Sequence, residues 1–96
     1  MPTNIQQIED IERDKTILRV KGEMMRTDAE LLEKIALEMR GETEKNLTID
    51  LADLHFLDSD GATVLKRMAD QHGFEIEGLL MFLQRAIEEN EKRNSN

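Results

Sequence analysis

Cysteine, tryptophan and tyrosine are all absent from this 96-residue chain. Without thiols there are no disulfides, no thiol nucleophile and no Cys-held zinc or iron–sulfur cluster. Proline occurs once, and phenylalanine three times, as Phe56, Phe74 and Phe82. Positive charge is short as well. Lys and Arg number 13 against 21 Asp and Glu, a formal net charge of −8. Nucleic-acid binding needs clustered cations to neutralise phosphates, so a nucleic-acid partner is not expected. Long apolar runs are missing too. The longest, Leu79-Leu80-Met81-Phe82-Leu83, is far short of the ~20 residues that cross a bilayer. The start, MPTNIQQIEDIERDK, has neither a basic opening nor an apolar h-region, so no secretory leader and a cytoplasmic location are expected.

What is present suits one small domain over residues 1–96, with a polar end at 88–96 that is expected to fray. With so few aromatics the core must come from Leu, Ile, Val and Met. The six methionines fill irregular gaps well, and also suit adaptable contact surfaces.

Two periodicities alternate along the chain. Ile5, Ile8 and Ile11 mark a first strand, and Asp14-Lys15 a turn. Thr16-Ile17-Leu18-Arg19-Val20-Lys21 reads as a second strand bounded by Gly22, paired with the first as a hairpin. Thr27-Asp28-Ala29-Glu30 has the form of a capping box. Leu31, Leu32, Ile35, Ala36 and Met39 follow at helical spacing, with Gly41 as the stop. Leu47-Thr48-Ile49-Asp50-Leu51 alternates as a buried strand, followed by a loop through Leu54, Phe56 and Leu57. A second helix starts at Asp58-Ser59-Asp60-Gly61, faces inward through Val64, Leu65, Met68 and Ala69, and ends at His72-Gly73. Phe74-Glu75-Ile76-Glu77 is a short strand, and Gly78 breaks it. A last helix runs from Leu80 to about Lys92 with Leu80, Leu83, Ala86 and Ile87 inward. The order β-β-α-β-α-β-α predicts an α/β fold in two layers: a mixed four-stranded sheet with its helices on one face.

The stretch from Asn46 to Met68 carries the most information. Its acidic and hydroxyl-bearing cluster falls on the first turn of a helix, where backbone N–H groups lack intrahelical partners. Asp58 or Ser59 can cap those donors, and Asp60 suits the positive end of the helix dipole. This structural role stands whatever else the site does.

The segment resembles the STAS domain family, found in anti-sigma factor antagonists and in sulfate-transporter tails. The family pattern is an alternating strand, an apolar pair, and Asp-Ser-Ser/Thr-Gly opening a helix. Here it reads Leu47-Thr48-Ile49-Asp50-Leu51, Phe56-Leu57, Asp58-Ser59-Asp60-Gly61 and Val64-Leu65. Leu18-Arg19-Val20-Lys21-Gly22-Glu23 is similar to the family's second strand, and Phe74-Glu75-Ile76-Glu77-Gly78 to its fourth. The resemblance implies a non-enzymatic interaction module without cofactor, contacting a protein partner through Asp58, Ser59, Asp60, Gly61, Ala62, Thr63 and Lys66. It implies two partner types. One is an anti-sigma factor or related kinase-like protein. The other is the ATPase subunit of a bacterial ABC-type transport complex, such as those that move phospholipid. One departure matters: relatives that switch partners are phosphorylated at the third residue of Asp-Ser-Ser/Thr-Gly, and Asp60 stands there. A carboxylate cannot accept phosphate, but carries about −1 where a phosphoserine carries about −1.5 to −2. Ser59 lies at the non-acceptor position. Met25-Arg26 replaces an Asp that contacts nucleotide in many relatives, which speaks against nucleotide binding.

Rival chemistries are weaker. Asp58-Ser59-Asp60-Gly61-Ala62-Thr63 resembles the Asp-x-Asp-Gly-Thr of magnesium-dependent aspartyl phosphatases, with Asp58 as nucleophile and Asp60 as general acid. That superfamily needs later strands with further polar residues, for which residues 62–96 leave no room. A metal at His55, Asp58 and Asp60 would have too few fixed ligands. The run at Leu79 to Leu83 exceeds what one inward face takes. Either Phe82 covers the sheet end, or Met81 and Phe82 form a dimer patch. Met24-Met25 is a loop plug or an exposed contact. Glu33/Lys34, Glu38/Arg40 and residues 88–93 read as solvated helix faces.

Overall fold

A computed structural model describes residues 3–94. They form β1 (Asn4–Asp10), β2 (Lys15–Met24), α1 (Arg26–Thr43), β3 (Leu47–Asp50), β4 (Leu54–Leu57), α2 (Ser59–Asp70), β5 (Glu75–Glu77) and α3 (Leu79–Asn94). The mixed α/β sheet and the three helices agree with expectation. The sheet has five strands rather than four, because residues 54–57 pair instead of looping.

β1 and β2 make the antiparallel hairpin, with Ile8 opposite Ile17 and Asp10 opposite Lys15. Asp14 closes it at φ 52°. On its other edge β2 pairs in parallel with β3 through residues 16–19, then with β4 through Gly22 and Met24. Gly22 therefore does not end β2. It holds φ 86° at a register shift, and the strand continues to Met24. A positive φ is easy for glycine and lets the edge turn from β3 to β4. β5 pairs in parallel with β3, giving the order β1-β2-β3-β5 with β4 beside β2.

The strand period of two separates the faces. Leu18, Val20 and Met24 of β2, Leu47 and Ile49 of β3, and Leu54 of β4 join one core. Ala29, Leu32 and Ala36 of α1, Val64, Leu65 and Met68 of α2, and Phe82 of α3 complete it. All three helices thus cover the same face. The opposite face is polar, with Asp50 opposite Arg19 and Glu77. Arg13 bonds Glu77 at 2.9 Å, and Lys15 bonds Glu75 at 2.7 Å.

The helix ends differ from their sequence signals. The N-cap of α1 is Met25, and the Asp28 carboxylate accepts the Met25 N–H at 3.0 Å. Thr27 is already helical, and Glu30 accepts from Arg26 at 2.7 Å. Gly41 lies within α1, which ends where Glu44 turns left-handed and donates its N–H to the Arg40 carbonyl at 2.8 Å. In α3 the expected inward stripe is reversed. Leu80, Leu83 and Ile87 are 69%, 45% and 57% exposed, while Phe82 is buried at 7%. The polar end is helical as far as Asn94, and residues 95 and 96 lie outside the described residues.

Gly78 anchors the turn from β5 into α3. Its φ is 76°, and a Cβ there would lie 2.4 Å from the Ala52 nitrogen and 2.7 Å from an Asp50 carboxylate oxygen. Both the conformation and the contact exclude a side chain. Gly78→Ala is expected to cost about 2–4 kcal/mol and lower the melting midpoint by at least about 8 °C. Gly41→Ala, with nothing within 4 Å of its Cβ, is expected to stabilise by about 0.5–1 kcal/mol. Thermal unfolding followed by circular dichroism measures both. An unchanged midpoint for Gly78→Ala would show that the close approach is absent in solution.

Candidate interaction site at the start of the second helix

β4 delivers the chain to Asp58, which adopts φ −80° and ψ 170° as the N-cap of α2. One Asp58 carboxylate oxygen accepts the Gly61 N–H at 2.6 Å, and the Asp58 carbonyl accepts the Ala62 N–H at 2.9 Å. The Asp58 N–H in turn donates to the Met24 carbonyl at 3.3 Å, tying the cap to the end of β2. Gly61 makes this approach possible. A Cβ on it would sit 2.9 Å from the Leu57 side chain and 3.1 Å from the Met24 carbonyl oxygen. The first turn of α2 is thus clamped onto the sheet by one carboxylate and one missing side chain.

The sequence-derived residues divide into two sets on this scaffold. Asp58 and Gly61 build the turn and face inward. Ser59, Asp60, Ala62, Thr63 and Lys66 are exposed around it. The Thr63 hydroxyl donates to the Ser59 carbonyl at 3.0 Å, and Lys66 pairs with Asp70 one turn on. No hydrogen bond or ion pair holds the Asp60 carboxylate among the described residues; the Arg26 pKa is raised first by its hydrogen bond to Glu30 and then by the charges of Glu30 and Asp60. Phe82 does not join a surface patch with Met81. Phe82 is in the core, the outcome expected if it covers the sheet end, while Met81 is 57% exposed. The Met24-Met25 pair divides likewise, with Met24 fully buried and Met25 39% exposed.

Asp58 commits one oxygen to the helix cap, which leaves it poorly free for attack on phosphorus. Among the described residues, no three His, Asp or Glu side chains come together as a metal site, and no helix is long and apolar enough to cross a membrane.

Sequence reasoning missed a second cluster that holds α2 in place. Glu33 of α1, read as solvated, accepts two hydrogen bonds from the Arg67 guanidinium, both 2.7 Å. His72 Nε2 stands 3.5 Å from the same carboxylate. Arg40, also read as solvated, lies 4.2 Å over the Phe74 ring and donates to the His72 carbonyl. The missing signal is long-range: neither Glu33 nor Arg40 has its partner within its own helix.

The Arg67 bonds hold the Glu33 carboxyl below its ordinary 4.5, with smaller help from the charges of Arg67 and His72. A carboxylate whose pKa falls on folding stabilises the protein fully above its unfolded value. That contribution is lost as pH falls through the folded value. The bidentate geometry is favourable, but the Arg67 side chain is 39% exposed, so water screens the pair. Glu33→Gln is expected to cost about 1 kcal/mol near neutral pH. The gap from wild type should close as pH drops below about 4.5, the ordinary value. Urea unfolding at a series of pH values checks this, and a pH-independent gap would remove the charge from the account.

Residues 3–89 match the model of the STAS domain family. Among solved structures, the chain is similar to an antisigma-factor antagonist STAS domain from Rhodobacter sphaeroides. Their identity is 19%, the match covers 82% of this chain and 89% of that one, and the TM-score is 0.59. It is also similar to a DUF3478-family protein with a SpoIIAA-like fold from Shewanella loihica. There the identity is 19%, with 77% of this chain and 61% of that one covered, at a TM-score of 0.54. No curated protein matches the sequence. At these identities the likeness to the solved structures is one of fold.

Proposed function

The chain belongs to the STAS domain family, and on that premise we propose that it acts as a non-enzymatic partner-binding module of the anti-sigma factor antagonist type. The contact surface is the exposed first turns of α2: Ser59, Asp60, Ala62, Thr63 and Lys66. One observation carries this reading. The turn is rigidly held by Asp58 and Gly61, yet its outward side chains are exposed, and the Asp60 carboxylate has no partner among the described residues. A surface pre-organised in this way loses little conformational freedom on binding.

Asp60 gives the surface a fixed negative charge at the position where switching relatives acquire one by phosphorylation. The module is therefore proposed to present a constant face, without a phosphorylation cycle at residue 60. Its partner is a cytoplasmic protein, either an anti-sigma factor of the kinase-like type or the ATPase subunit of an ABC transport complex.

Affinity capture from the native host tests the reading. Wild-type bait is expected to retain one of these two partner classes. Ala62→Arg, which adds bulk and charge at the centre of the exposed turn, is expected to weaken capture by at least about tenfold with an unchanged melting midpoint. A partner retained equally by Ala62→Arg places the contact elsewhere. Release of phosphate from a phosphomonoester with magnesium, abolished by Asp58→Asn, would replace the module by an enzyme.

A further inference from the structure

An apolar feature outside the core is left open by α3. Leu80, Leu83 and Ile87 share a face through their spacings of three and four residues. They are 69%, 45% and 57% exposed. Beside this ridge runs a groove of about 400 Å³, lined by Ala62, Leu65 and Ala69 of α2 and by Leu51, Ile76 and Leu79. Leu79 belongs to both, being the first residue of α3 and one wall of the groove. The molecule thus carries an apolar ridge and an apolar groove side by side.

We propose that this face is a self-association surface, in which the α3 ridge of one copy fills the α2–α3 groove of a second copy, and the reverse. A two-fold interface requires each surface element to meet its complement on an identical molecule. The adjacent ridge and groove meet that requirement. The charges also fit. Residues 79–84, Leu-Leu-Met-Phe-Leu-Gln, carry none in a chain that is 35% charged. Two copies, each with a net charge of −8, therefore approach through the segment of α3 without like charges. The groove's polar edge adds no net charge, since Lys66 and Asp70 both line it and pair with each other. A second copy is favoured over an anionic lipid surface, which an acidic chain repels.

The groove shares Ala62 and Lys66 with the proposed partner surface. On that reading, the dimer and the partner complex exclude one another, and the dimer is a store of inactive module. The self-association itself stands or falls independently of partner capture.

Light scattering over a range of concentrations, on the full chain, reads the outcome. The wild-type mass is expected to rise toward twice the 11.1 kDa of one chain. Leu80→Glu is expected to stay monomeric with an unchanged melting midpoint, since Leu80 is mostly exposed. Ala69→Arg, which fills the groove from its α2 wall, is expected to weaken the dimer by at least about tenfold as well, because ridge and groove must both be intact. A wild-type chain that stays monomeric at millimolar concentration overturns the proposal. So does a dimer that survives Leu80→Glu or Ala69→Arg. A monomeric chain that binds neutral lipid vesicles, or a different captured protein, only when Leu80 is intact assigns the face to that occupant and likewise overturns it.

Discussion

The contact between the first turn of α2 and the end of β2 organises this molecule. The Met24 side chain is fully buried in the core, while its carbonyl accepts the Asp58 N–H. Gly61 rests against that same carbonyl at a distance that excludes a Cβ. These contacts exist only because β2 runs past Gly22 and offers its last residues to β4. β4 then fixes where Asp58 arrives, and Asp58 fixes where α2 begins. The candidate surface is the outward side of that junction. Its geometry follows from backbone contacts and one cap, so its exposed side chains can vary without disturbing the fold. Asp60 is one such position.

Charge in this chain is organised rather than merely excessive. The open face of the sheet neutralises itself across strands, with Arg13 and Lys15 reaching Glu77 and Glu75. The Arg13 and Lys15 bonds hold the Glu77 carboxyl below its usual range. The helix layer has its own knot, in which Glu33 joins α1 to Arg67 and to the His72 region after α2. Most of this pairing is between residues far apart in sequence. Several acids that look like solvent-facing decoration are therefore cross-links. The exposed pairs contribute little each, whereas Glu33, only 14% exposed, takes both fork bonds of Arg67 at 2.7 Å, so its removal leaves that guanidinium without its acceptors.

Much of the fold was legible because its signals are local. The alternation in residues 47–51 and the stripe through Val64, Leu65 and Met68 read correctly from spacing, and of the two capping candidates, Asp58 and Ser59, the structure takes Asp58. The errors share a cause: tertiary context outweighed a local preference. A strand that ends at Gly22 lacks the last residues of β2, with which β4 pairs. The loop expected at residues 54–57 therefore follows from the strand end expected at Gly22. The cap belongs to Met25 rather than Thr27, because the Asp28 carboxylate serves the Met25 N–H two residues earlier than the motif implies. Gly41 sits in open space on α1, where nothing forces a stop. The same local signals put Ser59, Asp60, Ala62, Thr63 and Lys66 on the start of α2, where the structure has them exposed. The Glu33 and Arg40 contacts behind it have no local signature.

The α3 helix shows where periodicity stops being informative. Its spacing does identify a stripe at Leu80, Leu83 and Ile87, but a period says nothing about which side of the helix faces the core. Phe82 decides that, since burying one ring removes more apolar area than burying any single aliphatic neighbour. Rotating the helix to seat Phe82 turns the aliphatic stripe outward, next to a groove whose α2 wall begins at Ala62. The exposure of α3 is therefore a consequence of core packing, and it places an apolar ridge against the edge of the candidate recognition surface. Ala62 and Lys66 lie on both. On the proposed readings the two uses compete for one region, and whatever covers the groove also sets how much of the α2 surface a partner can reach.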